Sequence, residues 1–393
     1  MSLNQELLFK QQELTLILPA RAPKAGKGSV NLALKQSVIK KTTLFLLIIA
    51  ALLVKLFSIF PDAVEKYYSN GIFKWISSFQ RILFGWLPFS FGDLVYGFAV
   101  VWLTIQLVKL IKNIRRGKAD KRYAIRVASR IFGYTLLVYI FFNVSWGLNY
   151  NRRGIAYQLQ LEIPAYSKEE LVTVAELLAV KLNTLRPCSL SGRTILARNK
   201  NLFKEAIESY RHLSDANEAF KYPFPSVKPS IYSYLGNYLG FTGYYNPFTG
   251  EAQTNTTIPV FARPFTACHE IGHQLGYAKE SEANFAGYLS ASSSCDSAFR
   301  YSTYFDMYAY ASRYLYAADS MELKRINKSL SPDVKKDFAE LRTFFLRYST
   351  PLEAIIDRLY ARFLVANEQP SGKMSYNEVV ALLIAHYRKT GTL

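Results

Sequence analysis

The stretch TACHEIGHQLGYAKESEANFAGYL, residues 266–289, decides how the rest of the chain is read. It contains His269-Glu270-Ile271-Gly272-His273, and on a helix positions i and i+4 share one face, so both imidazoles can reach a single metal ion. Glu270 stands one step round that helix, where it can hold and deprotonate a water without ligating the metal. Nitrogen ligands at this spacing suit zinc, which in catalytic sites takes three protein ligands and keeps a fourth position open. The motif uses two of only four histidines in 393 residues, and the positions beside it are uncharged. Two surface histidines on an ordinary helix are the plain alternative.

A third ligand is needed. Gly276 can end the motif helix in a tight turn, and the helix after it offers Glu280 and Glu282. Glu280 shares a face with Ala283, Asn284 and Gly287, small enough to let that helix approach the first. Glu282 shares its face with Phe285, Ala286 and Leu289, an apolar packing stripe. The expected set is therefore His269, His273 and Glu280, with Glu282 as the fallback. Cys268 reads as a small buried apolar residue, with a Cys268–Cys295 bridge as the alternative.

Upstream of the motif, three runs are apolar and long enough to cross a bilayer as helices: residues 42–60, 91–108 and 131–148. The charge of +19 comes from 48 basic and 29 acidic residues, and its distribution matters more than its size. Segment 1–41 holds seven Lys/Arg against Glu6 and Glu13, and 109–130 holds nine against Asp120. The 61–90 loop holds only Lys66, Lys74 and Arg81, against Asp62 and Glu65. Basic loops stay in the cytoplasm, which puts the N-terminus inside and everything after the third run outside. The remainder, 151–393, carries a small basic surplus without a basic run, so nucleic acid is not an expected partner; the lipid bilayer is.

The divisions that follow are a cytoplasmic tail at 1–41, read as flexible, a membrane domain at 42–148, and an extracytoplasmic domain at 149–393. Within the outer loop, residues 71–89 (GIFKWISSFQRILFGWLPF) are amphipathic and rich in Trp and Phe, as expected of a segment lying in the membrane interface. Ser167 and Glu170 form a capping box opening a helix to about Leu185, and a second helix spans about 201–220. Strands are expected at 231–235 and 251–259. From Phe265 onward the pattern is helical, punctuated at Ser331-Pro332, at Pro351 and around Pro370–Gly372.

The Glu280-x-x-Ala283-Asn284 run resembles the Glu-x-x-Ala-Asp/Asn pattern of HtpX/CAAX-protease and ImmA/IrrE-type metallopeptidases, whose first Glu is a metal ligand and maps onto Glu280. The gap from His273 to Glu280 is far shorter here than in the membrane proteases. GYYNPFTGEAQTN at 243–255, followed by PFTACHE at 264–270 and preceded by three spans, resembles the uncharacterised bacterial membrane family called domain of unknown function 3810. That resemblance covers the chain from the first span to the C-terminus and implies a zinc-peptidase signature. Gluzincin-type peptidases pair an edge strand above the metal helix with the substrate backbone, and residues 251–257 are the candidate, a structural hairpin being the alternative.

Together these readings predict a mainly α protein, with three N-terminal transmembrane helices and a mostly helical zincin-like domain bearing a small hairpin or sheet. The expected function is a multi-pass cytoplasmic (inner) membrane zinc metallopeptidase facing the periplasm, with Glu270 as general base and an unidentified envelope protein or peptide as substrate. The alternative is a zinc-binding, non-proteolytic membrane scaffold or envelope-stress binding protein. Tyr245, Tyr301, Tyr376 and His386 stand open as the group that stabilises an oxyanion.

Overall fold

The computed structural model describes residues 40–366 and 376–393. The expectations for the tail and for the turn at Pro370–Gly372 lie outside these residues. The fold is mainly α with one three-stranded sheet.

Among the described residues, three helices are long and apolar enough to cross a membrane: α1 (Lys41–Ser58), α3 (Phe91–Arg115) and α4 (Lys121–Ser145). The last two run further than their apolar cores. Lys and Arg are good helix formers, so the helix continues where the hydropathy signal has stopped. Ser90 and Asp120 cap α3 and α4, accepting from the Asp93 and Tyr123 amides. Between α1 and α3, Val64–Ile72 is wound as a π-helix and leads into α2 (Phe73–Phe84).

The amphipathicity of α2 is turned inside out. Ser77, Gln80 and Arg81 are buried, while Trp75, Phe79, Ile82 and Leu83 point outward. The inward residues bond to protein carbonyls: Ser77 Oγ to Gln274 O at 3.2 Å, Gln80 Nε2 to Pro247 O at 3.0 Å, and Arg81 Nε to Pro223 O at 3.1 Å. The 61–90 loop thus packs directly on the part of the chain that follows the third span.

After α4 comes α5 (Lys168–Leu196), opened by the expected capping box: Glu170 N donates to Ser167 Oγ at 3.2 Å and Ser167 N to Glu170 Oε2 at 2.8 Å. It passes Leu185 and Pro187 without ending. α6 spans Asn199–Ala216. β1 (Val227–Pro229) precedes α7 (Ser233–Leu239), then β2 (Gly243–Asn246) and β3 (Glu251–Thr254). The strand expected at 231–235 is a turn leading into α7. The reason is tertiary: Ile231 N donates to Asp93 Oδ2 at 2.6 Å and Ser233 Oγ to Ser230 O at 2.7 Å, so these groups are taken before a ladder could use them.

β3 is the central strand, parallel to β1 and antiparallel to β2. The expectation that 251–257 forms a free edge is therefore corrected, since both sides of β3 are already paired. The outer strand over the motif is β2.

The remaining helices are α8 (Arg263–Gln274), α9 (Glu280–Ser292), α10 (Ser297–Ala318), α11 (Ser320–Ser329), α12 (Pro332–Tyr348), α13 (Pro351–Ala366) and α14 (Tyr376–Thr390). One apolar core, including Leu178, Tyr210, Phe285, Phe299, Phe305 and Leu383, joins α5, α6, α9, α10 and α14 around α8. The motif helix is thereby sunk in the middle of the fold.

Candidate metal centre

α8 is terminated by the turn at Gly276, two residues past its last helical residue, whose φ of +88° is a left-handed conformation that favours glycine. The turn is closed by Gly276 N on His273 O at 3.0 Å and Tyr277 N on Gly272 O at 3.2 Å. α9 then returns across α8 at very short range: a Cβ on Gly287 would lie 3.0 Å from His269 N. That approach carries Glu280, in the first turn of α9, onto the histidine face.

His269 Nε2 lies 3.5 Å from Glu280 Oε2, and His273 Nε2 lies 3.7 Å from Glu280 Oε1. One ligand atom from each of the three residues falls within 4.8 Å of the others. His273 Nδ1 is 2.8 Å from Tyr277 O, which selects the tautomer with its proton on Nδ1 and its Nε2 lone pair aimed inward. Burial, with the neighbouring His273 second, pushes His269 down to about 4, so its ring is neutral and able to ligate. Its Nδ1 is buried with no completed bond, as is the Asn284 amide nitrogen, and the Asn284 side chain stands beside the ring. Two imidazole nitrogens and a carboxylate form a donor set that fits zinc.

Glu270 is 3% exposed, with Oε1 4.0 Å from His269 Nε2 and Oε2 buried and unbonded. Burial, and then the nearby Glu280 charge, raise its pKa well above the usual carboxylate range. A carboxyl that readily holds a proton, placed at the rim of a candidate cation site, has the makings of a proton carrier. Glu282, by contrast, lies against Gly154, where its Oε1 would be 1.9 Å from a Cβ, and near Arg152. It is not part of the cluster.

The carbonyls at and just after the C-terminal end of α8, beyond the reach of the helical ladder, accept side-chain donors from earlier in the chain. Trp146 Nε1 donates to His273 O at 2.9 Å, Ser77 and Arg81 to Gln274 O at 3.2 Å each, and Arg152 Nη1 to Gly276 O at 3.2 Å. Burial raises the Tyr150 phenol pKa, and the nearby Glu280 carboxylate raises it further. Sequence reasoning missed Trp146, Tyr150, Arg152 and Arg81. They lie well over 100 residues from the motif, and no local pattern marks them.

A cleft of about 520 Å³ opens over His269, Glu270, His273 and Glu280. Gly240 to Tyr245 form one wall, and Asp306, Tyr310, Leu341 and Phe345 another. Burial pushes the Asp306 carboxyl up to about 8. Of the residues considered for an oxyanion, Tyr245 lines the cleft and its buried hydroxyl is unbonded. Tyr301 OH is held by Asp337 Oδ2 at 2.6 Å, and His386 packs between Phe285 and Tyr288 at 5.8 and 6.2 Å. The Tyr376 side chain is outside the described residues. No Cys268–Cys295 bridge forms: Cys268 is buried beside the Ser209 and Ser290 hydroxyls, with its thiol pushed up to about 12 by burial, and Cys295 is exposed.

No curated protein and no solved structure matches the chain. A family match does exist, and it spans residues 68–384, beginning after the first apolar helix and stopping short of the C-terminus. By that match the chain belongs to the family described as "Protein of unknown function (DUF3810)".

Proposed function

We propose that this protein is a membrane-anchored zinc metallopeptidase whose cleft faces the extracytoplasmic side. The reading rests on one observation above all. His269, His273 and Glu280 converge within 4.8 Å on the floor of a cleft, with the Glu270 carboxyl 4.0 Å from the first imidazole. Zinc, when bound, supplies a Lewis acid that lowers the pKa of a water and polarises a carbonyl. The chain does the rest. Glu270 accepts the proton of the attacking water and passes it to the departing amine.

Tyr277 O orients the His273 ring, the Asn284 side chain stands beside that of His269, and Trp146 holds the backbone of His273 in place. An extended substrate would lie along β2, where a Cβ on Gly243 would stand 2.5 Å from Glu270 Oε1, so glycine keeps the base open to the cleft. Orientation follows from charge: the basic ends of the spans are opposite the ends that meet the cleft.

The test is paired. Purified protein is expected to carry about one zinc per chain and to degrade an unfolded protein, with both properties lost on chelation. Glu270→Gln should keep its zinc and lose at least about 100-fold in rate. Zinc bound in both forms, with degradation by neither, would leave the non-proteolytic scaffold as the reading.

A further inference from the structure

The cleft is built on the ends of the spans. Trp146, the residue after α4, bonds the carbonyl of His273 at 2.9 Å, so only one indole separates a candidate ligand from the end of that helix. Tyr96 and Phe142, which lie within α3 and α4, line the cleft together with His269 and Glu270. Phe248, after β2, stacks on Phe141 at 5.7 Å and meets Tyr96 edge-on at 6.3 Å.

Helix lengths set the height. α3 has 25 residues, about 37 Å of helix, against a hydrocarbon core about 30 Å thick. Even with all the excess on the cleft side, Tyr96, about 7 Å into the helix, stands at the core boundary.

The surface around the cleft agrees. Trp75, Phe79 and Trp86, in and just after α2, are 80%, 65% and 76% exposed, while the polar face of that helix is buried and bonded. Ile231, Tyr234 and Leu235 are 53%, 69% and 52% exposed. Their segment is tied to the first turn of α3, because Tyr232 OH donates to Asp93 O at 2.9 Å. Aromatic and aliphatic side chains held outward by bonded polar faces, beside three spans, fit the headgroup layer.

We infer that the substrate class is the membrane-proximal segment of a bilayer-anchored protein, cut within a few residues of its anchor. This rests on the peptidase reading. A cleft at headgroup height meets such a segment as it leaves the bilayer. His269, Glu270 and Glu280 themselves lie on α8 and α9, outside the spans.

The experiment uses full-length protein in proteoliposomes with single-span substrates. Each carries the same cleavable segment behind a Gly/Ser spacer of about 3, 15 or 30 residues, a reach of up to about 3.5 Å per residue. A tether alone raises the local concentration, so the spacer series decides, not the tether. The shortest spacer should be cut fastest, about tenfold or more above the longest and above the free segment. Fastest cutting behind the longer spacers, or equal cutting of the free segment, overturns the inference and leaves the peptidase reading intact. Cutting of none, with zinc bound, ends both.

Seating is read without activity, from a nitroxide at position 75 or 234 (Trp75→Cys, Tyr234→Cys) with the exposed Cys188 and Cys295 changed to Ser. Greater collision with oxygen than with a water-soluble nickel chelate supports the inference; the reverse overturns it.

Discussion

Glu280 and Glu282 stand two positions apart in the first turn of α9, yet one carboxylate reaches both imidazoles and the other lies against Gly154 and Arg152. The difference has a measurable consequence. Glu280→Ala should weaken zinc binding by more than about 100-fold, beyond what loss of a partner to a ligand costs. Glu282→Ala should hold zinc within about tenfold of the native protein, since it touches no ligating atom. Metal competition titrations read both directly, and the opposite ranking would exchange the two roles. The small residues assigned to the Glu280 face, Ala283 and Gly287, are those that let α9 come within van der Waals range of α8. A Cβ added at Gly272 would meet Ala283, and one added at Gly287 would meet the His269 backbone.

Among the elements, the π-wound segment Val64–Ile72 carries the buried link between the spans and the motif turn. Glu65 accepts from Arg152 at 2.7 and 2.9 Å, both side chains are almost wholly buried, and Arg152 goes on to Gly276 O. Removing one partner of such a pair strands a buried charge, so Arg152→Ala should lower stability by about 3–5 kcal/mol. Replacing both, as Glu65→Met with Arg152→Met, should recover most of that loss, because a packed apolar pair needs no charge partner. Chemical denaturation in one detergent would compare the three proteins. Equal loss in the single and double variants would mean that the contact matters for shape and not for charge.

At the scale of the molecule, α3 begins and α4 ends beside the cleft, while Arg115 and Lys121 mark their other ends. With nine Lys/Arg in 109–130 against three in 61–90, a reporter fused near Lys118 should read cytoplasmic and one fused after Arg153 extracytoplasmic. The reverse pair of readings would invert the orientation and move the cleft to the cytoplasmic face.

What the sequence determined by itself is what local spacing encodes. Long apolar runs mark the spans, because every residue there must tolerate the same surroundings. An i, i+4 histidine pair shares a helix face whatever surrounds it, and the Ser167–Glu170 box caps α5 through bonds three residues apart. Tertiary structure decided everything that depends on a distant partner. The hydrophobic pattern of α2 announces two faces, but only the Gln274, Pro247 and Pro223 carbonyls bonded to its polar side turn its aromatic face outward. Residues 231–235 read as a strand until Asp93, more than 130 positions away, takes the Ile231 amide. β3 loses its free edge because β1 and β2 flank it. Trp146, Tyr150 and Arg152 reach the centre because α4 delivers its end there, a placement set by packing over long sequence separations that no local periodicity records.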